Sequence, residues 1–214
     1  MRARLKLIAL MFAVVLGGFA VGATIDAFRL PGVELDRTDS VTALLGDRSA
    51  PYIGPPRAAR TVVIFTDYQC GICRLDHAGI ETVVRSEPRT RFVFKEWSIL
   101  GPQSRAAAEV ALAARYQGRY LDVRDALMRA GQLTPASIRS AVVRSGANWP
   151  RLQADLTFHR TAVDRELART SRQAFALGLR GTPSYMIDTR LVVGSLRENK
   201  LRRLIDREPT VTEP

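Results

Sequence analysis

TVVIFTDYQCGIC, at residues 61–73, is a short apolar run followed closely by two cysteines three positions apart. Its first five residues are all β-branched or aromatic, which predicts a strand that is buried on both faces of a sheet. Apolar side chains then recur at helical spacing within residues 75–85. The sequence therefore predicts a central strand that leads directly into a helix, with Cys70 near the point where the helix begins.

Segments outside this stretch predict how the sheet is completed. Residues 91–96, RFVFKE, read as a second strand, which a right-handed crossover makes a parallel neighbour of the first. Two short apolar runs, 184–187 and 191–193, flank three polar residues in the pattern of a hairpin. An amphipathic helix is predicted over 196–206, and the segment of about 101–178 has helical periodicity. We therefore expect an α/β fold with a helical insertion.

The composition argues against a nucleic-acid partner. The chain has 214 residues, with 32 Lys and Arg against 21 Asp and Glu, which gives a formal net charge of +11. Nucleic-acid-binding proteins usually concentrate basic residues in a patch with aromatic residues. Here the arginines are spread along the chain and recur among acidic residues, as in 160–172. We therefore interpret the charge as a property of the solvated surface.

The N-terminus, residues 1–25, predicts export. Three basic residues lie within residues 1–6, and residues 7–25 carry no charge. This run is longer than the core of about 7 to 15 apolar residues in a cleaved signal peptide. It reaches the length of about 18 residues needed for a membrane anchor. The small residues at 21–23 leave a cleaved signal peptide open as the alternative. Both alternatives place the remaining chain in the periplasm or elsewhere outside the cytoplasm.

The domain boundaries follow from these patterns. Residues 26–58 mix Pro and Gly with charges and show no sustained periodicity, so they are predicted to be a linker and N-terminal extension that includes an entry strand. One folded domain is expected over 59–207, a length that can bury a hydrophobic core. Residues 208–214 are predicted to be a C-terminal tail.

The cysteine pair carries the chemistry. Cys70 and Cys73 are the chain's two cysteines, which leaves nothing for a structural disulfide framework. At the start of a helix, unpaired N–H groups and the helix dipole stabilise a thiolate, so Cys70 is the expected nucleophile. Cys73 lies one turn further and is expected to be more buried and to act as the resolving thiol. Dithiol-disulfide exchange at such a pair needs no cofactor.

Two other roles for the pair stay open. A purely structural disulfide would restrain few unfolded conformations, because the loop that it closes is so short. A zinc site could recruit His77 and His159, but their separation is far longer than the spacing in compact structural sites. Two thiolates would also suit Cu(I). A copper- or zinc-binding envelope protein is therefore the alternative of another class, although we expect no metal ligands.

The motifs FTDYQCGIC, at 65–73, and GTPSYMI, at 181–187, resemble the DsbA-like branch of the thioredoxin superfamily. The resemblance covers about residues 51–207. It implies a thioredoxin-like fold with a helical insertion and the activity of a protein thiol-disulfide oxidoreductase. It also implies two kinds of partner, namely exported proteins with cysteines and a membrane redox partner that resets the disulfide.

The resemblance further implies a role for Thr182 and Pro183. In such relatives the matching proline follows a cis peptide bond and faces the cysteines. The backbone at Thr182 would then be free to pair with an extended substrate segment beside Cys70, as an edge strand does. Thr182 and Pro183 are therefore the expected substrate-binding residues.

One position departs from the family pattern. Many relatives carry a buried glutamate six residues before the first cysteine, thought to help move the proton of the resolving thiol, and here that position is Ile64. Asp67 is the preferred substitute. Lys95 and Glu96 are further candidates, although charged residues at strand ends are ordinarily solvated.

His77 is a candidate modulator of the thiols. It lies four residues past Cys73 on the same predicted helix, where an imidazole could tune a thiol. A half-exposed surface histidine is the alternative.

The direction of exchange is less well defined by the sequence. The dipeptide between the cysteines, Gly71-Ile72, differs from the Pro-His dipeptide of the strongly oxidising prototype of the family. We expect an oxidase, with a reductase or isomerase as the alternative.

Overall fold

The computed structural model describes residue 11 and residues 30–207. Apart from Met11, the predicted anchor or signal at 1–25 lies outside the described residues, as does the predicted tail at 208–214. Within the described part of the chain, no helix is long and apolar enough to cross a membrane. The chain divides into two compact units, Met1–Pro31 and Gly32–Pro214, and the second contains both cysteines.

Within residues 30–207, six strands form one mixed sheet in the order β1-β6-β5-β3-β4-β2. They are β1 (Val33–Glu34), β2 (Tyr52–Ile53), β3 (Arg60–Thr66), β4 (Thr90–Glu96), β5 (Ser184–Ile187) and β6 (Arg190–Val193). The central pair, β3 and β4, is parallel, as predicted from the crossover. The predicted hairpin is also confirmed, because β5 and β6 are antiparallel neighbours and β5 pairs with β3.

Eight α-helices surround this sheet in the described residues. They are α1 (Asp39–Leu45), α2 (Gly71–Ser86), α3 (Pro102–Ala114), α4 (Tyr120–Arg129), α5 (Pro135–Arg144), α6 (Trp149–Phe158), α7 (Arg160–Ala176) and α8 (Glu198–Asp206). The predicted helical insertion therefore consists of α3 to α7. The fold is thioredoxin-like, with α2 crossing from β3 to β4.

The two faces of the sheet pack against different helices. On one face, Val63 and Phe65 of β3 belong to a core cluster with Leu44 of α1 and Ala174 of α7. Side chains alternate along a strand, so Ile64 points to the opposite face. That face is covered by α2 and α4. The cysteines lie at the end of this second layer, where β3 passes into α2.

The segment 26–58, predicted to be a linker, contributes to the fold from residue 33 onward. Strand β1 pairs with β6 and β2 pairs with β4, both in antiparallel register. Helix α1 buries Val41 and Leu44. The sequence predicted one entry strand here without placing it, because strands of two residues are too short to show a period of two.

Candidate active site

Cys70 is the N-cap residue of α2, and this confirms the predicted start of the helix. The Cys73 backbone N–H donates a hydrogen bond to Cys70 Sγ over 3.3 Å. Both cysteines are free thiols, with 7% of Cys70 and 3% of Cys73 exposed. The N–H donor and the positive end of the helix both stabilise negative charge on Cys70 Sγ.

The loop before β5 faces this pair. The peptide bond between Thr182 and Pro183 is cis. The Thr182 carbonyl oxygen accepts a hydrogen bond from Cys70 Sγ at 3.2 Å. The Pro183 carbonyl in turn accepts a bond from the Gly194 N–H at 2.9 Å, which ties the turn to the end of β6. The structure thus brings together Cys70, Thr182 and Pro183, which are more than 100 positions apart in the sequence.

The second thiol has a strongly perturbed acidity. Burial and the hydrogen bond with Cys70 raise the pKa of Cys73 to about 12, against the opposing effects of the Asp67 backbone and the Thr182 side chain. Cys73 is therefore protonated near neutral pH and has to lose a proton before it acts as a nucleophile. The site needs a group that accepts this proton.

Asp67, the preferred substitute for the missing glutamate, is almost fully buried, with 1% exposed. Its Oδ1 accepts a bond from the Gln69 N–H at 2.7 Å. Its Oδ2 accepts bonds from the N–H groups of Ile99 and Leu100 at 2.8 and 3.0 Å. The carboxylate thus joins the loop that carries Cys70 to the segment after β4. Its hydrogen bonds go to backbone donors rather than to a thiol.

Lys95 lies on the opposite face of the sheet from α2. Its side chain is fully buried, and its Nζ lies 2.5 Å from Asp47 Oδ2 and 3.6 Å from Glu166 Oε1. The expectation that this strand end is solvated is wrong, because helices α1 and α7 cover it. Burial lowers the pKa of Lys95, although Asp47 acts in the opposite direction. The contacts of Lys95 hold α1 and α7 against the sheet.

Glu96 is also buried rather than solvated, with 2% exposed. Its Oε1 accepts hydrogen bonds from the hydroxyl groups of Tyr68, at 2.9 Å, and Tyr120. Burial raises the pKa of Glu96, against the lowering effect of Arg124. This carboxyl group connects β4 to α4 and to the loop before Cys70.

His77 is buried, with 4% exposed, so the surface alternative is wrong. Its Nε2 lies 2.8 Å from Asp125 Oδ1, which links α2 to α4. Burial lowers the pKa of His77, and the charge of Arg124 adds to this effect, while Asp125 opposes it. The hydrogen-bond partner of His77 is therefore a carboxylate rather than a cysteine.

Among the described residues, the side chains of the metal alternative do not form a cluster. His159 stacks on Tyr116 with ring centroids 3.6 Å apart, whereas His77 is engaged with Asp125. In residue 11 and residues 30–207, no three His, Cys, Asp or Glu side chains are close enough to hold a metal ion. The two histidines of the proposed zinc set are thus not assembled around the cysteines.

Tyr185 and Asp76 are two residues of the site that the sequence pattern does not single out. Tyr185, on β5, is 1% exposed, and its hydroxyl group lies 3.5 Å from Asp76 Oδ2 on α2. Burial raises the pKa of Tyr185, and the charges of Asp76 and Cys73 add to this effect. The position of Tyr185, two residues after Pro183, is a weak signal, because an aromatic residue in a strand is ordinarily part of the core.

Among curated proteins, the chain is similar to part of two bacterial antiporters. It is 26% identical over 172 residues to the Na(+)/H(+) antiporter NhaA 1 of Salinispora arenicola, which covers 73% of this chain and 26% of that protein. It is 26% identical over 140 residues to NhaA 3 of Salinispora tropica, which covers 64% of this chain and 21% of that protein. The chain thus spans about a quarter of the length of the curated relatives it matches.

Three solved structures share the fold over most of this chain. A thioredoxin-like oxidoreductase from Silicibacter pomeroyi has 35% identity and a TM-score of 0.72, covering 80% of this chain and 97% of that one. The thiol-disulfide exchange protein alpha-DsbA2 from Wolbachia pipientis has 26% identity and a TM-score of 0.73, covering 77% and 90%. The catalytic domain of Proteus mirabilis ScsC has 25% identity and a TM-score of 0.65, covering 76% and 90%.

The family comparison agrees with the geometry of the site. The sequence profile of a family described as thioredoxin matches residues 47–207, which include both cysteines and the cis-proline loop. The resemblance inferred from the two motifs is confirmed. The chain belongs to the thioredoxin family, among its DsbA-like thiol-disulfide oxidoreductases.

Proposed function

We propose that this chain oxidises thiols of exported proteins by dithiol-disulfide exchange at Cys70 and Cys73. The observation that carries the proposal is the position of Cys70 Sγ. It lies at the N-terminus of α2, receives the Cys73 N–H at 3.3 Å and contacts the Thr182 carbonyl at 3.2 Å. A thiol that exchanges disulfides with proteins needs a stabilised thiolate and, beside it, a backbone segment that can bind the client chain.

The reaction proceeds in two displacements. A client thiolate attacks Cys70 Sγ of the oxidised pair, the bond between the two cysteines breaks, and Cys73 leaves as a thiolate that takes up a proton. A second client thiolate then attacks the client sulfur of the mixed disulfide and releases Cys70 as a thiolate. Two client thiols become one disulfide, and the pair gains two electrons. The chemistry needs no cofactor besides the cysteines.

The stabilisation of Cys70 supports the oxidising direction. Donors that favour the Cys70 thiolate stabilise the reduced pair relative to the disulfide, which makes the disulfide a stronger oxidant. The pKa of Cys73, about 12, means that the Cys73 thiolate takes up a proton once it has left in the first displacement. The stabilisation of Cys70 is the effect that favours transfer of the disulfide from this chain to the client.

Apolar side chains around Cys70 support a protein client. Ile72, between the cysteines, is 48% exposed, and Leu75 is 83% exposed. Leu100 is 47% exposed, and its carbonyl accepts a bond from the side chain of Gln69, the residue before Cys70. An extended client segment would pair with the backbone at Thr182 and cover these side chains.

The N-terminal segment supports a location outside the cytoplasm. Residues 1–25 combine a basic start with a long uncharged run, the pattern of an anchor or a signal. An anchor would hold the domain at the outer face of the inner membrane. A membrane redox partner would then reoxidise the pair after each cycle, and the periplasm would be the compartment of its clients.

A trapping experiment tests the proposal. In the full chain with Cys73→Ala, Cys73 can no longer resolve mixed disulfides on Cys70, so client proteins without a second thiol in reach should accumulate in covalent complexes with it. Nonreducing gels of acid-quenched cells would show these complexes, and addition of a reductant would remove them. The matched control is the double variant Cys70→Ala/Cys73→Ala. Equal band patterns from the trap and the control would contradict the proposal.

The reduction potential tests the direction of exchange. Equilibration of the pair with glutathione should give a potential close to the strongly oxidising value of about −120 mV. A potential near about −270 mV would overturn the oxidase role and assign a reductase. Either value would leave the trapping result valid, because trapping reports exchange and not its direction.

A further inference from the structure

The resolving thiol needs a route for its proton, and this inference rests on the proposed exchange function. Cys73 is 3% exposed, and burial raises its pKa to about 12. In place of the glutamate of many relatives the chain has Ile64, which has no acid-base function. The carboxylate of Asp67 is occupied by three backbone N–H groups.

Tyr185 lies next to Ile64, the position that carries a glutamate in many relatives. In the sheet it is the direct register partner of Ile64 on the adjacent strand. Directly opposed residues point to the same face, and this face is covered by the helix that carries Cys73. The Tyr185 hydroxyl group reaches that helix, because it lies 3.5 Å from Asp76 Oδ2. A negative charge on Cys73 raises the pKa of Tyr185, as the charge of Asp76 does.

Asp76 connects this buried hydroxyl group to the surface. It lies three residues after Cys73 on α2 and is half-buried. Its Oδ1 accepts a bond from the hydroxyl group of Ser195, an exposed residue, at 2.7 Å. Its Oδ2 accepts a bond from the Leu196 N–H at 2.9 Å, which fixes the carboxylate in place.

We propose that Tyr185 and Asp76 form the proton relay of Cys73. When Cys73 attacks Cys70 of a mixed disulfide, its sulfur forms the new bond and the former partner leaves as a thiolate. The Cys73 proton passes to the Tyr185 oxygen while the Tyr185 proton passes to Asp76, and from there it reaches solvent. The leaving thiolate takes up a proton from solvent, so charge and atoms balance. The same relay runs backwards when Cys73 is the leaving group.

The surrounding charges are consistent with this assignment. Tyr185 is influenced by Asp76 and Cys73 on α2 and by Arg124 on α4. Arg124 forms an ion pair with Glu81 at 2.7 Å, and His77 is paired with Asp125. Asp76 is thus the carboxylate that the Tyr185 hydroxyl group contacts. The 3.5 Å separation is long for a hydrogen bond, and catalytic contacts commonly shorten when the reacting complex forms.

The test separates the two thiols by a two-step reaction with an aromatic disulfide such as 5,5′-dithiobis(2-nitrobenzoate). Attack by Cys70 releases the first coloured thiol, and attack by Cys73 on the resulting mixed disulfide releases the second. In Tyr185→Phe the second step should slow about tenfold near neutral pH, since proton transfer by a positioned group contributes at least this much. The first step should keep its rate. The difference in the second-step rate between Tyr185→Phe and the unmodified chain should become smaller as the pH rises toward the pKa of Cys73.

Two further variants keep the test decisive. Asp76→Asn retains an acceptor oxygen for the Leu196 N–H and an amide group that can donate to Ser195 Oγ, but it removes the basic carboxylate, so it should also slow the second step selectively. Tyr120→Phe is the matched control, because it removes a buried hydroxyl group that binds Glu96 instead, and both of its steps should keep their rates.

The outcomes distinguish this relay from the exchange function on which it rests. Equal second-step rates in Asp76→Asn and the unmodified chain across the pH range would overturn the relay, whether or not Tyr185→Phe folds. Equal slowing of both steps would also overturn it. Failure of the unmodified chain to release either coloured thiol would overturn the exchange function instead.

Discussion

At the scale of single residues, the site shows how one charge can stabilise a reactive loop without taking part in the chemistry. Asp67 is buried directly before the cysteine loop and accepts hydrogen bonds from three backbone N–H groups. Its backbone carbonyl also accepts a bond from the Cys70 N–H at 3.1 Å. The sequence suggested a proton acceptor here. The geometry shows a carboxylate that accepts hydrogen bonds from backbone N–H groups in two loops, the one before Cys70 and the one after β4.

Asp67→Ala should therefore reduce stability substantially. The change leaves three N–H groups without their charged acceptor, and hydrogen bonds to charged groups contribute about 1.5 to 3 kcal/mol each. Because such effects are not additive, we expect a loss of about 3 kcal/mol in the free energy of unfolding, measured by urea denaturation of the reduced protein.

The control is Asp122→Ala, which removes a carboxylate that is half exposed and paired with Arg119. An exposed pair of this kind contributes at most about 1 kcal/mol. If Asp67→Ala loses no more stability than Asp122→Ala, the Asp67 carboxylate does not stabilise the two loops and this prediction is wrong.

At the scale of elements, the sequence predicted those whose pattern is long enough to be periodic. Strands β3 and β4 have seven residues each, and their apolar runs identified both of them. Helix α2 has 16 residues and one buried face, which gave a clear helical period. Strands β1 and β2 have two residues each and depend on pairing with β6 and β4, so no local pattern marks them.

In the site, as in the fold, local features could be predicted from the sequence and long-range contacts could not. The cysteine spacing and the preceding strand located the reactive pair from local sequence alone. The contact between Cys70 and the Thr182 carbonyl spans 112 positions, and only the family resemblance indicated it. The pairing of Tyr185 with Ile64 depends on the register of β5 against β3. In the sequence, Asp76 resembles an ordinary exposed charge on a helix. Its contacts with Tyr185, Ser195 and Leu196 follow only from the three-dimensional structure.

At the scale of the whole molecule, a buried ion pair lies on each face of the sheet, one between a strand and the segment after α1 and one between the helices α2 and α4. On the face of α7, Lys95 pairs with Asp47. On the face of α2, Arg124 pairs with Glu81, 43 positions away. A buried charge that keeps its partner is tolerated, while removal of one partner is strongly destabilising. The pH dependence of the domain's stability is therefore set by interior groups as well as by surface charges.

His77 should make the fold sensitive to mild acid. Burial and the charge of Arg124 lower the pKa of His77 in the folded state below its ordinary value of 6.5. As the pH falls through about 6.5, the unfolded chain takes up a proton that the folded chain does not, so the free energy of unfolding decreases. The slope from this residue is at most about 1.4 kcal/mol per pH unit. Urea denaturation at several pH values would measure it.

His77→Gln isolates this contribution. Glutamine retains a donor for Asp125 but does not titrate, whereas the other titrating groups, including Glu96 with its raised pKa, remain in both proteins. The stability difference between the two proteins should therefore change with pH below about 6.5 and stay constant above it. The relative stability of the unmodified chain should fall as the solution is acidified. A difference that is independent of pH would contradict this prediction and show that Asp125 balances the effect of burial. A difference that grows in favour of the unmodified chain in acid would show that Asp125 prevails over burial and holds His77 in its charged form.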